Sequence, residues 1–190
     1  MNLKQIKDST LRIINEYSNK GAITPEIKNK DYILRMNDLI NDFQMEVCRV
    51  RRIVAEPIQI TVSNNGSNLN KFDMPDNFME LKEILNNNFE FKSYTWQGKK
   101  TLCIPTSYGG VYDVFYFKYP EIVDSATPDT YELELDIDAQ TLAKYYVGGH
   151  LMLSEDNTIA YQLLNEYNLK LANLTAGHQR QTQIISNYEW

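Results

Sequence analysis

"VYDVFYFKY", residues Val111 to Tyr119, is the stretch on which the fold turns. Successive side chains of a strand point to opposite faces, so a half-buried strand alternates apolar and polar residues. Here Tyr112, Val114 and Tyr116 fall on one face, and Phe115 and Phe117 on the other. Apolar side chains on both faces predict a central strand. Upstream, Ile58, Ile60 and Val62 alternate with Gln59 and Thr61 as in a half-buried strand. "SNNGSNLN" (63–70) places Asn-Gly at the centre of a turn. "KFDMPDNF", "FEFKSYTW" and "TLCI" follow, short aromatic and β-branched runs punctuated by Gly, Pro and Asn. Residues 57–120 therefore read as an antiparallel β insertion.

Helical periods flank it on both sides. Leu3, Ile6, Thr10, Ile13 and Tyr17 form one stripe, which Gly21 ends. Thr24, Pro25 and Glu26 make a helix-start signal. Ile33, Met36, Ile40, Phe43, Val47 and Val50 mark a second helix with Asp31 at its start. Beyond the β insertion, Asp138 caps a helix carrying Ala139, Leu142, Tyr146, Gly149 and Leu153. Asp156 caps another with Ala160, Leu163, Tyr167, Leu171 and Leu174, ended by Ala176–Gly177–His178. The expected fold is α+β and mainly helical: a four-helix core of two N-terminal and two C-terminal helices, the central antiparallel β insertion, and an extended C-terminal tail. The expected divisions are N-terminal helices over 1–56, the β insertion over 57–120, an acidic loop over 121–137, C-terminal helices over 138–176 that share a domain with 1–56, and a docking tail over 177–190.

Composition narrows the function classes. The chain has 190 residues, 43% hydrophobic and 23% charged, which suits a globular protein. A net charge of -6 argues against wrapping nucleic acid by neutralising phosphates. "MNLKQIKDST" is interrupted by charges and does not read as a signal peptide. Cys48 and Cys103 have no metal or redox spacing and read as reduced thiols of a protein made in a cytoplasm. The many asparagines, Asn86, Asn87 and Asn88 among them, read as compositional bias absorbed by loops.

Motifs for chemistry are scarce. There is no HExxH, CxxC, Walker loop or GxSxG, so no catalytic, cofactor-binding or metal-binding residues are expected. His150 reads as a packing or interface histidine, and His178 as one placed to meet free carbonyls just past a helix end. "YGGVY" reads as a turn. Residues 121–138 hold seven acids and no Lys or Arg: Glu121, Asp124, Asp129, Glu132, Glu134, Asp136 and Asp138. Oxygen ligands suit calcium or magnesium, but "DIDAQ" lacks the third ligand and the glycine of a calcium loop. The other readings are paired carboxylates for hydrolysis, a solvated loop, and an acidic surface that meets a basic partner or faces a DNA channel. Arg49, Arg51 and Arg52 crowd the end of the second helix, where cations suit the negative dipole terminus, and are candidates for a subunit contact with those acids. Tyr94, Trp96, Tyr108 and Tyr112 either stack on sugars or belong to core and interface. The final stretch, "AGHQRQTQIISNYEW", is polar but closes on Ile184, Ile185, Tyr188 and Trp190, the side chains of a docking segment.

Four pieces together carry a family resemblance: "LRMNDLINDFQMEVCRV" (34–50), "KFDMPDNFMELKEI" (71–84), "VYDVFYFKYPEIV" (111–123) and "TPDTYELELDIDAQTLAKYYVGGHLMLSEDNTIAYQLLNEYNLKLANL" (127–174). In that order, over about residues 30–174, the chain resembles head–tail connector (adaptor) proteins of tailed bacteriophages. It departs from the pattern at Met74, where the family has a leucine in Asp-Leu-Pro, and at Gly148–Gly149, where small apolar residues are usual. The resemblance implies a structural virion protein, not an enzyme. It implies a dodecameric ring beneath the portal, which extends the DNA channel at the head–tail interface and offers a platform to the next tail component. DNA would pass without specific binding. It also implies that the C-terminal segment docks on the portal or a neighbouring subunit, and that Glu132, Glu134, Asp136 and Asp138 line the channel or a subunit contact. A stopper or tail-completion protein of the same neck and a carbohydrate-binding tail module are the alternatives.

Overall fold

In the computed structural model, which describes residues 1–14, 27–63 and 68–185 (side chains of 27–29 and 176–185 excepted), the chain forms two units. One contains Arg52–Tyr119, the other Met1–Arg51 with Pro120–Trp190.

The first unit is built on eight strands: β1 (Ile53–Val54), β2 (Ile58–Val62), β3 (Leu69–Asp73), β4 (Phe78–Asn86), β5 (Phe89–Glu90), β6 (Thr95–Gln97), β7 (Thr101–Pro105) and β8 (Gly110–Lys118). β8 is central to a five-stranded antiparallel sheet, with β4 on one side and β1 and β2 in succession on the other; β5 extends β4. A second antiparallel sheet has the order β3-β7-β6. Both sheets contribute to one core, with Ile60, Val62, Ile84, Tyr112, Val114 and Tyr116 from the first and Leu102 and Ile104 from the second. Met74, between β3 and β4, is buried in that core, where an unbranched apolar side chain fills the gap between the two sheets. β2 and β3 belong to different sheets and form no hairpin, and the Asn65–Gly66 turn expected between them lies outside the described residues. β1 pairs with the end of β8, Ile53 opposite Lys118, so the chain enters and leaves the unit at adjacent points.

The second unit contains α1 (Leu3–Ile13), α2 (Ile27–Val47), α3 (Ile137–Gln140), α4 (Ala143–Met152) and α5 (Asn157–Ile185). Asn2 caps α1 in a capping box with Gln5, and Leu3, Ile6, Thr10 and Leu11 are buried. Met36, Ile40, Phe43 and Val47 of α2 are fully buried. α4 is the hub against which α1, α2 and α5 pack. Its two glycines permit this, because a Cβ on Gly149 would stand 2.7 Å from Leu164 Cγ, and one on Gly148 3.2 Å from Ile13 and Ile14 methyls.

Several expectations are corrected. The chain is not a mainly helical four-helix core: eight strands in two antiparallel sheets form a unit with its own core, and the helices gather around a short α4. Nor is there an extended tail from residue 177, since α5 continues through Gly177 to Ile185. A glycine inside a helix costs only about 1 kcal/mol, and the Gln and Arg that follow are good helix formers. Asp136, not Asp138, is the N-cap, accepting from Ala139 N–H, and the expected single helix is split into α3 and α4. α2 starts one turn earlier than Asp31, at Ile27. Tyr17, Gly21 and Thr24–Glu26 lie outside the described residues.

Candidate functional site

The acidic segment is a scaffolded strap rather than a loose loop. α2 presents Asn37, Asn41 and Gln44, spaced i, i+4, i+7 along one edge of its buried stripe. Asn37 Nδ2 donates to Asp124 O at 2.9 Å, and Asn41 Nδ2 donates to Val123 O at 2.8 Å. Asn41 Oδ1 accepts from Val123 N–H at 2.8 Å, and Gln44 Nε2 reaches Glu121 O at 3.4 Å. One amide side chain thus satisfies both backbone groups of buried Val123, as a neighbouring strand would. Further along, the Thr127 hydroxyl and the N–H groups of Ala126 and Thr127 donate to Asp124 Oδ1, and in that order they hold its carboxyl below the usual range. Leu3 and Lys4 N–H donate to Tyr131 O and Asp129 O, and Lys7 pairs with Asp129 at 3.6 Å. Tyr131 is pushed up to about 12 by burial and by the carboxylates of Glu134 and Glu121.

The four acids singled out from the sequence divide into two kinds. Glu134 Oε2 accepts from Glu121 N–H at 3.1 Å. Asp136 accepts from Arg51 Nε at 2.7 Å while capping α3. Burial alone would raise the Asp136 pKa, but the Arg51 guanidinium and the Ala139 N–H outweigh it and hold the carboxyl below its ordinary value. Glu132 and Asp138 are exposed. The three arginines do not act as one cluster. Arg51 pairs with Asp136 of its own chain, Arg52 pairs with Glu80 at 2.9 Å and lies 4.9 Å over the Phe117 ring, and Arg49 is exposed.

Of the docking residues, Tyr188 and Trp190 lie outside the described residues, and Ile184 and Ile185 end α5 with their side chains outside that description. The helix itself is informative. Its 29 residues span about 43 Å at 1.5 Å per residue, whereas α4, on which it packs, has ten residues and spans about 15 Å.

The sugar-stacking stripe is broken. Tyr112 is in the core, its hydroxyl donating to Tyr108 O at 2.7 Å. Tyr94 is partly buried against the same core, while Trp96 and Tyr108 are exposed. His150 packs 4.4 Å from the Tyr146 ring, and the His178 side chain lies outside the described residues. A groove of about 480 Å³ runs along α2 beside the strap, walled by exposed Leu34 and Ile122. Among the described residues no group of three or more His, Cys, Asp or Glu side chains is placed to hold a metal, and no helix is long and apolar enough to cross a membrane.

Sequence reasoning missed two asparagine devices. The ladder on α2 was legible only as polar residues bordering a buried stripe. Asn87 and Asn88 have φ of 48° and 67° and make the tight turn between β4 and β5, a left-handed conformation that asparagine tolerates better than most residues. No protein-family model matches the chain, and no curated protein matches it.

Proposed function

We propose that this chain is a structural subunit of a phage neck: a head–tail adaptor that forms a ring under the portal, extends the DNA channel and attaches the tail. The reading starts from the ordered resemblance over about residues 30–174. Its four pieces correspond to α2, to β3 with the turn into β4, to β8 with the start of the strap, and to the acidic segment with α3, α4 and α5. The observation that carries it furthest is the overrun of α5. A predominantly polar helix such as its last ten residues is marginal in isolation. Within its own chain α5 packs on α4, on Phe43 of α2 and, as far as Leu174, beside α3; continuing it about 15 Å further, over those last ten residues, makes physical sense when another chain receives it. Acting as a ring component needs no catalytic constellation, and the polar chemistry of the acidic segment is spent mostly on holding backbone.

The test is capture by purified portal rings, followed by imaging. The full chain forms rings on the portal, and a chain lacking Gly177–Trp190 keeps its melting temperature but loses capture. Normal capture by the shortened chain refutes the docking role of that segment, and failure of the full chain to bind any portal refutes the adaptor reading.

A further inference from the structure

The groove beside the strap is built to receive a segment that combines an apolar side chain with a cation. Leu34 and Ile122, 70% and 60% exposed, wall it toward its two ends. Between them stand two exposed carboxylates, Asp38 on α2 and Asp124 on the strap, brought together because Asn37 ties the strap to α2 at Asp124. The cation in the lining, Lys7, is taken by Asp129 at 3.6 Å, and its side chain is only 15% exposed. Asn37 spends its Nδ2 on the Asp124 carbonyl, while its Oδ1 is enclosed without a hydrogen-bond partner among the described residues. Leaving an enclosed acceptor unpaired is unfavourable, and a guanidinium, with five N–H donors, could serve it together with the two carboxylates.

The helical unit carries such a segment at its other end. Phe43 and Tyr167 mark one level, their rings 6.2 Å apart and the Tyr167 hydroxyl donating to Glu46. From that level α2 and α5 run the same way: Lys170 and Leu174 lie beside Asp138 and Leu142, and the preceding Asp136 is paired with Arg51, beyond the end of α2. Asn37 lies about 9 Å before Phe43, whereas Ile185 lies about 27 Å past Tyr167. The end of α5 and the groove are therefore at opposite ends of the unit, and a continuous helix does not turn back into its own groove. Between Ala176 and Ile185 the sequence holds Arg180 and no acid, with Ile184 one turn beyond Arg180. Leu34 and Asp38 have the same one-turn spacing on α2.

A projecting segment at one end and a complementary groove at the other make a head-to-tail contact, the kind that closes by rotation into a ring. We infer that the end of α5 seats in the groove between α2 and the strap of the next copy, Ile184 against Leu34 and Arg180 between Asp38 and Asp124. This rests on the reading of the chain as a repeated neck subunit, and it names the receiver of α5 as the next copy rather than the portal. It also sets a direction. Copies standing side by side with their helices along the ring axis would hold the two sites about 36 Å apart in height, so α5 runs around the ring.

The experiment uses full-length variants. Leu34→Cys and Ile184→Cys are mixed with a short bis-maleimide, at rising protein concentration and again on portal rings; the native thiols Cys48 and Cys103 are buried and do not compete. The mixture gives linked dimers and neither variant alone does. Links within one variant, or none under either condition, overturn the assignment. Asp38→Arg and Arg180→Asp, each checked by its melting temperature, weaken self-association at least tenfold in sedimentation, and a chain carrying both regains it. Association unchanged by either, or not regained in the double variant, also overturns it. Portal capture by the wild-type chain is scored separately. Missing links with intact capture remove this contact and leave the adaptor reading, while links without capture do the reverse.

Discussion

At Gly149, the absent Cβ lets α4 and α5 approach more closely than two substituted backbones could. A methyl there would meet Leu164 Cγ at 2.7 Å and Ala160 O at 3.3 Å, and the second of these is backbone and cannot rotate away. Overpacking of this kind costs about 1–3 kcal/mol, more than the roughly 1 kcal/mol that alanine gains over glycine in a helix. Gly148 faces only side-chain methyls at 3.2–3.3 Å, which can give by tenths of an ångström. Urea midpoints should therefore fall for Gly149→Ala and stay near wild type for Gly148→Ala; the opposite order would mean that the helices are not locked at this crossing. Asp136 supports a pH prediction. Its folded pKa lies below the ordinary value near 4, so its stabilisation is complete above that value and is lost as pH falls through the folded pKa. Asp136→Asn keeps a capping side chain but loses the ion pair with Arg51, which is partly exposed and worth about 0.5–1 kcal/mol. Unfolding at pH 7 should show that deficit, and the gap to wild type should close as the solution is acidified below about pH 4. A gap that is constant with pH would rule out the pair as its source.

Among the elements, the strap shows what a sequence reveals and what it hides. The buried stripe of α2 was legible because hydrophobic period is a local signal: Met36, Ile40 and Phe43 lie where the 3.6-residue repeat puts them. The polar ladder on the same helix was not, because Asn37 and Asn41 have meaning only once residues some eighty positions away are laid beside them. Strand pairing has the same limit. Alternation marks Ile58–Val62 as a strand, but nothing local says that β2 pairs with β8 while β3 pairs with β7. Helix ends fail differently: Gly177 looks like a stop, yet its cost is small enough for the favourable residues beyond it to carry α5 onward. The ladder gives a sharp expectation. Asn41→Leu strips Val123 of the partners of both its N–H and its C=O, at a cost of about 2 kcal/mol, and speeds hydrogen exchange at the Val123 amide. Asn37→Leu removes one bond to the exposed Asp124 carbonyl and should cost less than half as much. Equal losses would mean that the strap is held by packing rather than by the amide clamp.

On the scale of the whole molecule, the uneven charge is the feature that an assembly would use. The helical unit holds the entire -6, with seven acids between Glu121 and Asp138. Two of the four acids at its end, Glu134 and Asp136, bind backbone or Arg51, so reversing them would damage the fold and blur any functional result. Glu132 and Asp138 are exposed, and substitutions at such surface positions ordinarily change stability by no more than about 0.5 kcal/mol. The double variant Glu132→Lys with Asp138→Lys should therefore melt with the wild type. If these acids line a channel through which DNA passes, the variant assembles on portal rings normally, but the ring now retains duplex DNA and releases it as salt is raised, because lysines exchange with counterions on the phosphates. If the acids form a subunit contact, the variant fails to make rings at all and the DNA measurement never arises. Normal rings with unchanged DNA retention would remove this acidic face from both roles and leave its charge serving solubility alone.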